Sequence, residues 1–259
     1  MQQWRYIKTY VAPCGSGDKE YFMKTIALII AGGTGARMHQ DIPKQFLTVN
    51  EKPVIVYTLE AFQNHPEIDS IAVVCVEGWE QMLRAYARQF NIDKLDIVVP
   101  GGENGQGSIR NGVYELEKHF DKDDIVLIHD AIRPMVSAES ISDCLMKTKQ
   151  FGNAITSIPC AEAMLTTKHG ESSEETYSRD NLKRTQTPQG FKLGEICDLH
   201  REALEKGITG SVASCTLMIE LGRKVFFSQG SEKNIKLTTV DDIDIFKALL
   251  ISKRSEWLK

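Results

Sequence analysis

Several features are scarce in this sequence of 259 residues, and each scarcity narrows the classes of protein that it can encode. No apolar run approaches the roughly 20 residues of a membrane-spanning helix, so we expect no contact with a membrane. Lys and Arg number 31 against 35 Asp and Glu, and this absence of a basic surplus argues against nucleic acid as a partner. The six cysteines form no Cys-x-x-Cys pair and have no histidine at zinc-ligand spacing, which predicts reduced thiols in a cytoplasmic protein.

The beginning of the chain also lacks the marks of a structured element. Residues 1–22 mix aromatic and charged residues around a Gly-Ser-Gly turn and contain no apolar core of a signal peptide. A periodic apolar pattern starts only at Met23. We therefore interpret residues 1–22 as a poorly ordered extension and residues 23–259 as one α/β domain.

Short apolar runs alternate with helical patterns through the first 160 residues. Such alternation predicts right-handed βαβ units and a Rossmann-like, mostly parallel sheet flanked by helices, with ligands beyond the carboxyl ends of the strands. The predicted strands are Thr25–Ile30, Ile71–Val76, Ile97–Val99, Ile125–Ile128 and Ala154–Ile158. The predicted helices are Ile55–Asn64, Trp79–Phe90, Ser108–His119 and Ser140–Lys149.

The pattern changes after residue 160. Residues 161–185 are polar and rich in threonine, which predicts a β-hairpin or arm that projects from the sheet. Regular order then resumes with predicted helices at Gln189–Gly207 and Ser214–Leu221 and a predicted strand at Lys224–Ser228. An amphipathic helix, Val240–Trp257, is expected to begin with a capping box at Thr239.

A glycine-rich turn follows the first predicted strand, from Ala31 to Met38, and Pro43-Lys44-Gln45 comes shortly after it. Glycines allow backbone N–H groups to approach phosphate oxygens and form an anion-binding nest. No Gly-Lys-Ser/Thr follows, so the turn is not a P-loop. Met38 occupies the third small position of a dinucleotide fingerprint, so only the glycines favour an NAD-dependent oxidoreductase. A tight strand–helix turn without a ligand is the alternative.

The turn and four later segments together resemble the 2-C-methyl-D-erythritol 4-phosphate cytidylyltransferase family, whose relatives include ribitol 5-phosphate cytidylyltransferases. The resemblance runs from about Thr25 to Leu250. The four segments are Gly101-Gly102-Glu103…Ser108, His129-Asp130-Ala131-Ile132-Arg133-Pro134, Thr185-Gln-Thr187-Pro-Gln189 and Asn234-Ile235-Lys236-Leu-Thr238.

The resemblance implies transfer of CMP from CTP to a polyol phosphate, with Mg²⁺ as the cofactor and pyrophosphate as the leaving group. Arg37, Lys44 and Lys236 would be the catalytic residues around the triphosphate. The attacking group is a phosphate monoester, which is already largely ionised near neutral pH because its second pKa is about 6. No general base is therefore needed, and catalysis consists of bringing two anions together and offsetting charge at phosphorus.

The resemblance also implies binding residues, and most of them have a plainer structural alternative. The expected nucleotide-binding residues are Ala31, Gly32, Gly33, Gly102, Glu103, Ser108 and Asp130. Ser108 could instead be a helix N-cap. Asp130 would hold Mg²⁺ or a ribose hydroxyl, or else cap the next turn.

Three residues are expected to bind the polyol phosphate, namely Arg133, Arg179 and Thr187. The alternative for Arg133 is a solvent-exposed ion pair, which would contribute little. Arg179 lies in the arm, which relatives exchange across a two-fold homodimer, so Arg179 would complete the neighbouring subunit's site. Taken alone, an arginine in a polar hairpin is usually only solvated.

Departures from the family pattern concentrate in the acceptor half of the expected site. Glu162-Ala163 stands where the family commonly has Asp-Thr, and Gly105 replaces a frequent arginine. Thr209–Cys215 also differs from the usual acidic segment, and its Ala-Ser-Cys stretch aligns better with the ribitol branch. These changes leave open which polyol phosphate is the acceptor and whether the pathway leads to isoprenoids or to a cell-surface polymer. A non-catalytic CTP-binding homologue is the alternative to an enzyme.

Overall fold

The computed structural model describes residues 23–33 and 42–255, and within this part seven strands form one sheet in the order β11-β7-β10-β6-β1-β4-β5. Residues 1–22 and Trp257, on which two of the predictions fall, lie outside the described residues. The strands are β1 Thr25–Ala31, β2 Thr48–Val49, β3 Lys52–Pro53, β4 Ser70–Cys75, β5 Leu95–Pro100, β6 Ile125–Asp130, β7 Asn153–Pro159, β8 Met164–Thr166, β9 Glu175–Tyr177, β10 Lys183–Lys192 and β11 Phe227–Gln229.

Helices cover both faces of this sheet. They are α1 Val54–Gln63, α2 Glu80–Gln89, α3 Gly105–Leu116, α4 Ala138–Phe151, α5 Leu193–Glu205, α6 Ser214–Glu220 and α7 Val240–Ser255. Successive residues of β1 point to opposite faces, so Ala27 and Ile29 join the core under α1, α2 and α4. Ile26 and Leu28 join the core under α3, α5 and α6. The predicted α/β class is confirmed.

Strand β10 is the main departure from the predicted order. It runs antiparallel between β6 and β7, and its residues Gln189 and Gly190 pair with Ile128 and Leu127. The prediction of a helix from Gln189 was therefore wrong at its start, and α5 begins at Leu193. Buried Gln189 lies four residues before Leu193 on the buried face of α5, so the end of the strand resembles one more turn of the helix.

The predicted arm is present as a hairpin. Strands β8 and β9 pair antiparallel from Met164↔Tyr177 to Thr166↔Glu175. At its base, Lys183 and Arg184 of β10 pair with the end of β7, so the hairpin extends directly from the main sheet. Its apolar side chains are uncovered, with Leu165 exposed by 65% and Tyr177 by 60%.

The capping box of the last helix is confirmed. Asp242 N–H donates to Thr239 Oγ1 at 3.3 Å, and Thr239 N–H donates to Asp242 Oδ2 at 2.8 Å. Phe246 is fully buried against β2 and the β6–α4 loop, which fixes α7 beside the carboxyl end of the sheet. None of the helices in the described part of the chain is long and apolar enough to cross a membrane.

His200 of α5 is a buried polar residue without hydrogen bonds to the described residues. It is 1% exposed, and neither ring nitrogen has a partner. Burial lowers the pKa of His200 to about 4, with the nearby charge of Arg110 acting in the same direction. Folding therefore holds this imidazole neutral at a pH where the unfolded chain would bind a proton.

We expect His200→Leu to remove part of the acid sensitivity of the protein. With a folded pKa near 4 and an unfolded value of 6.5, stability is complete above pH 6.5 and falls as the pH approaches 4. The difference corresponds to about 3 kcal/mol in the free energy of unfolding. Urea unfolding at pH 7 and pH 4.5 measures it. At pH 7 the variant should keep or gain stability, because no hydrogen bond is lost. An unchanged pH slope would contradict this role.

Candidate active site

A cleft of about 230 Å³ opens beyond the carboxyl ends of β1 and β6, where the sequence places the ligand. Its wall includes Ile30, Asp130, Arg133, Thr187, Ser214 and Lys236. Polar residues from β6, from the bulge in β10 and from the loop before α7 thus meet at one edge of the sheet. The expected residues Asp130, Arg133, Thr187 and Lys236 are brought together.

Asp130 is the centre of the charges in this cleft. Its Oδ2 accepts from Arg133 Nε at 2.9 Å, and Lys236 Nζ lies 3.2 Å from both carboxylate oxygens. Burial alone would raise the pKa of Asp130, but Lys236 and Arg133 outweigh it and hold the pKa below its usual value. The carboxylate is therefore ionised and fixes the position of both cations. Asp130 therefore does more than cap the next turn, which was the alternative drawn from the sequence.

Arg133 is not the solvent-exposed ion pair of the alternative interpretation. Its side chain is only 12% exposed, and Nη1 donates to the Asn234 carbonyl oxygen at 2.8 Å. Arg133 therefore connects the turn after β6 to the loop that carries Lys236. Guanidinium has five N–H donors, so donors remain for an anion in the cleft after these two contacts.

The loop before α7 is held in place by residues that sequence reasoning did not single out. Gln186 Nε2 donates to the Ser231 carbonyl oxygen at 2.9 Å, and Asn234 Nδ2 donates to the Thr187 carbonyl oxygen at 2.8 Å. Asn234 is fully buried two residues before Lys236. Both residues belong to the motif segments, but only the fold shows that they tie Lys236 to β10.

His129 is another residue whose role the sequence did not reveal. It is fully buried, and burial lowers its pKa to about 4 although neighbouring Asp130 acts to raise it. Its Nδ1 lies 3.0 Å from Thr187 Oγ1, and its Nε2 lies 3.2 Å from the Arg133 carbonyl oxygen. A register shift in β10 between Thr185 and Gln189 removes Thr187 from the regular ladder and places it beside this imidazole.

The glycine turns approach each other closely on the other side of β1. A Cβ on Gly32 would lie 2.8 Å from Ser108 Oγ and 3.2 Å from Gly101 Cα, so only glycine fits. Gln45 Nε2 donates to the carbonyl oxygens of Ala31 at 2.7 Å and Gly33 at 2.9 Å. Gln45 therefore sets the backbone of the first turn, and only its place in the Pro-Lys-Gln motif pointed to it.

Ser108 is not the N-cap of α3, which corrects the alternative drawn from the sequence. Asn104 caps the helix, because its Oδ1 accepts from Gly107 N–H at 2.8 Å. Ser108 lies within α3, and its Oγ accepts from Gly102 N–H at 3.0 Å. Ser108 thus holds the second glycine turn against α3, while Glu103 is exposed on that turn.

Two expected site residues, Lys44 and Arg179, do not line this cleft, and the position of a third is not described. Arg37 falls outside the described residues. Lys44 is half-buried and opens the 3₁₀ helix Lys44–Phe46, just after the first glycine turn. Arg179 lies at the base of the arm, where Nη1 donates to the Ala161 carbonyl oxygen at 3.0 Å, and it is not among the residues described as lining the cleft.

Comparison with known proteins identifies the family of this chain. Residues 25–252 match the family described as IspD: 2-C-methyl-D-erythritol 4-phosphate cytidylyltransferase. The chain belongs to this family. A ribitol-5-phosphate cytidylyltransferase of Lacticaseibacillus paracasei is 44% identical over 88% of this chain and 98% of that protein.

Two further family members show the range of the similarity. A 2-C-methyl-D-erythritol 4-phosphate cytidylyltransferase of Clostridium botulinum is 34% identical over 88% of this chain and 97% of its own length. The crystal structure of the Francisella tularensis 2-C-methyl-D-erythritol 4-phosphate cytidylyltransferase superposes with a TM-score of 0.72 at 29% identity. That match covers 86% of this chain and 97% of the other. The sequence-based assignment to this family is confirmed.

Proposed function

We propose that this protein transfers CMP from CTP to ribitol 5-phosphate and releases pyrophosphate. The observation that carries the proposal is the set of Lys236, Asp130 and Arg133 in one cleft beside the two glycine turns. The choice of acceptor is supported by the 44% identity to a ribitol-5-phosphate cytidylyltransferase, against 34% to a methylerythritol phosphate enzyme. Ala163, in place of the family's arm threonine, also favours an acceptor other than methylerythritol phosphate.

In the proposed reaction an oxygen of the polyol phosphate attacks the α-phosphorus of CTP. A new P–O bond forms while the bond from the α-phosphorus to the bridging oxygen breaks, and pyrophosphate leaves with that electron pair. Lys236 would stabilise the negative charge on the five-coordinate phosphorus, since it is fixed by Asp130 and needs no reorganisation. We place Arg37 and Lys44 on the triphosphate side, because Arg37 belongs to the first glycine turn and Lys44 follows that turn in the sequence.

Mg²⁺ is part of the proposal, and the residues present fit a cation held mainly by substrate. Among the described residues no group of three or more His, Cys, Asp or Glu side chains gathers, and Asp130 is the carboxylate in the cleft. Mg²⁺ commonly uses one or two carboxylates together with phosphates and water. Asp130 would supply that ligand, and the ion would neutralise charge on the triphosphate.

The decisive assay measures pyrophosphate release from CTP and Mg²⁺ with ribitol 5-phosphate or 2-C-methyl-D-erythritol 4-phosphate as acceptor. We expect pyrophosphate release when CTP and ribitol 5-phosphate are both present. With 2-C-methyl-D-erythritol 4-phosphate as the acceptor, kcat/KM should be at least about tenfold lower. A higher kcat/KM for methylerythritol phosphate would overturn the acceptor assignment. No release with either acceptor would refute cytidylyl transfer to these polyol phosphates.

Gly102→Ala is expected to disable the nucleotide half of the site. An added Cβ would lie 2.4 Å from the Gly107 carbonyl carbon and 2.6 Å from Ser108 N, and neither backbone atom can move without displacing α3. Such overpacking costs about 1–3 kcal/mol, and we expect the KM for CTP to rise by about tenfold or more. Gly105→Ala is the matched control, because no heavy atom lies within 4 Å of its Cβ. Equal CTP kinetics in both variants would contradict this role.

We further propose a homodimer in which the arm of one chain completes the site of the other. The exposed apolar side chains of the hairpin and the position of Arg179 outside its own cleft support this arrangement. Arg179→Ala and Lys236→Ala subunits, each inactive alone, should regain about a quarter of the activity when mixed and allowed to exchange. If each site were built from a single chain, the mixture would stay inactive. That result would reject the proposal that the arm completes the partner's site.

A further inference from the structure

The hydrogen bonds of His129 determine which of its ring nitrogens carries a proton. Its Nε2 lies 3.2 Å from the Arg133 carbonyl oxygen, which can only accept, so Nε2 is the protonated nitrogen. The ring is fully buried and its centroid lies 5.0 Å from that of Phe62, and this apolar burial favours the neutral form over the charge of Asp130 beside it. Nδ1 is therefore a hydrogen-bond acceptor.

The hydroxyl group of Thr187 is consequently fixed in direction. Thr187 Oγ1 lies 3.0 Å from His129 Nδ1 and must donate its one proton to that acceptor. The same oxygen accepts from Asp130 N–H at 3.1 Å. A hydroxyl has one donor and two lone pairs, so these bonds leave Thr187 with one free lone pair and no free proton.

Thr187 is already expected from the family resemblance to bind the polyol phosphate. We propose that His129 is a positioning residue that makes Thr187 a hydrogen-bond acceptor, so that Thr187 recognises a hydroxyl group of the polyol chain and not its phosphate. The inference rests on the proposed function and deepens it. A phosphate oxygen has no proton to offer, so Thr187 does not bind the acceptor's phosphate, which is left to the cations. An acceptor without a hydroxyl at that carbon would leave the lone pair of Thr187 unpaired.

The test compares the KM for the polyol phosphate with the KM for CTP in four single variants. Thr187→Val keeps the volume but removes the hydroxyl, and we expect the acceptor KM to rise about tenfold with the CTP KM unchanged. Thr187→Ser should stay near wild type. His129→Phe should also raise the acceptor KM and leave the CTP KM unchanged, because the Thr187 hydroxyl is then free to rotate. His129→Asn should restore most of the acceptor affinity, because its Oδ1 can replace Nδ1 as acceptor.

A double mutant separates positioning from general damage to the fold. In the Thr187→Val background, His129→Phe should change the acceptor KM by less than about twofold. If His129→Phe does not fold, monodeoxy polyol phosphates carry the test on the soluble Thr187 variants. One monodeoxy acceptor should bind the wild type about tenfold more weakly than the parent acceptor does. Thr187→Val should bind that monodeoxy acceptor and the parent acceptor equally well.

Several results would overturn the inference while the proposed function stands. For Thr187→Val, these results are an unchanged acceptor KM or an equal rise in the KM values for the acceptor and for CTP. For His129, they are a full additional effect of His129→Phe in the Thr187→Val background, or a folded His129→Asn that behaves like His129→Phe. For the monodeoxy acceptors, the result is weaker binding than the parent acceptor that persists in Thr187→Val. A wild-type protein that releases no pyrophosphate with any polyol phosphate would instead refute the proposed function itself.

Discussion

Lys236→Met should lower kcat by about 10²–10³-fold with little change in the KM for CTP. The ammonium group lies 3.2 Å from both oxygens of Asp130, and Lys236 belongs to the wall of the cleft. A charge that is fixed before reaction stabilises the transition state more than the bound substrates, and loss of one such group typically costs this factor. Methionine keeps the unbranched stem of the lysine side chain and lacks only its ammonium group. Steady-state pyrophosphate release measures the effect.

Lys233→Met is the control for this prediction. Lys233 lies three residues earlier on the same loop and is exposed, outside the residues that line the cleft. Removing its charge should change kcat by less than about twofold, since exposed charges interact weakly. If the two variants have equal kcat values, Lys236 has no special part in the reaction.

The second large effect is expected for Asp130→Asn, with kcat lowered by about 10²-fold or more. The variant removes the charge that holds Lys236 and Arg133 in place, and an amide cannot satisfy two cations. It also leaves Arg133, which is only 12% exposed, without its carboxylate partner. A fall in melting temperature should therefore accompany the loss of activity. Assays well below the melting temperature keep the two effects apart.

Dependence on Mg²⁺ gives Asp130→Asn a second readout. In the proposed reaction Asp130 is the carboxylate ligand of a phosphate-bound Mg²⁺, so Asp130→Asn should need a higher Mg²⁺ concentration for half-maximal rate. Asp123→Asn removes an exposed carboxylate that pairs with Lys192 at 3.3 Å and should match wild type in rate and metal dependence. A kcat for Asp130→Asn within threefold of wild type would remove Asp130 from the mechanism.

Local patterns made the sheet and the glycine turns predictable. Thr25–Ala31 and Ser70–Cys75 are apolar after their first residue because parallel strands are buried on both faces, and Gly32 marks the end of the first of them. The close approach of Gly32 to Ser108 also fits the presence of glycine at that position. Spacing and residue type carry such features, since they depend on neighbours along the chain.

The missing features depend on contacts between distant residues. Gln189 begins an apolar pattern that suits a helix, but hydrogen bonds to β6, some 60 residues earlier, make it a strand. The direction of the Thr187 hydroxyl likewise follows from His129, 58 residues away. No local pattern in the sequence encodes these pairings.

The most direct test of the account is a single-turnover reaction with CTP labelled at the α-phosphate, excess enzyme, Mg²⁺ and ribitol 5-phosphate. In the wild type the label should pass from CTP to a cytidine diphosphate-linked ribitol as pyrophosphate appears in equal amount. Lys236→Met should still bind CTP but transfer the label about 10²–10³-fold more slowly. Label that stays in CTP with the wild-type enzyme, or that transfers equally fast in both proteins, would contradict the account.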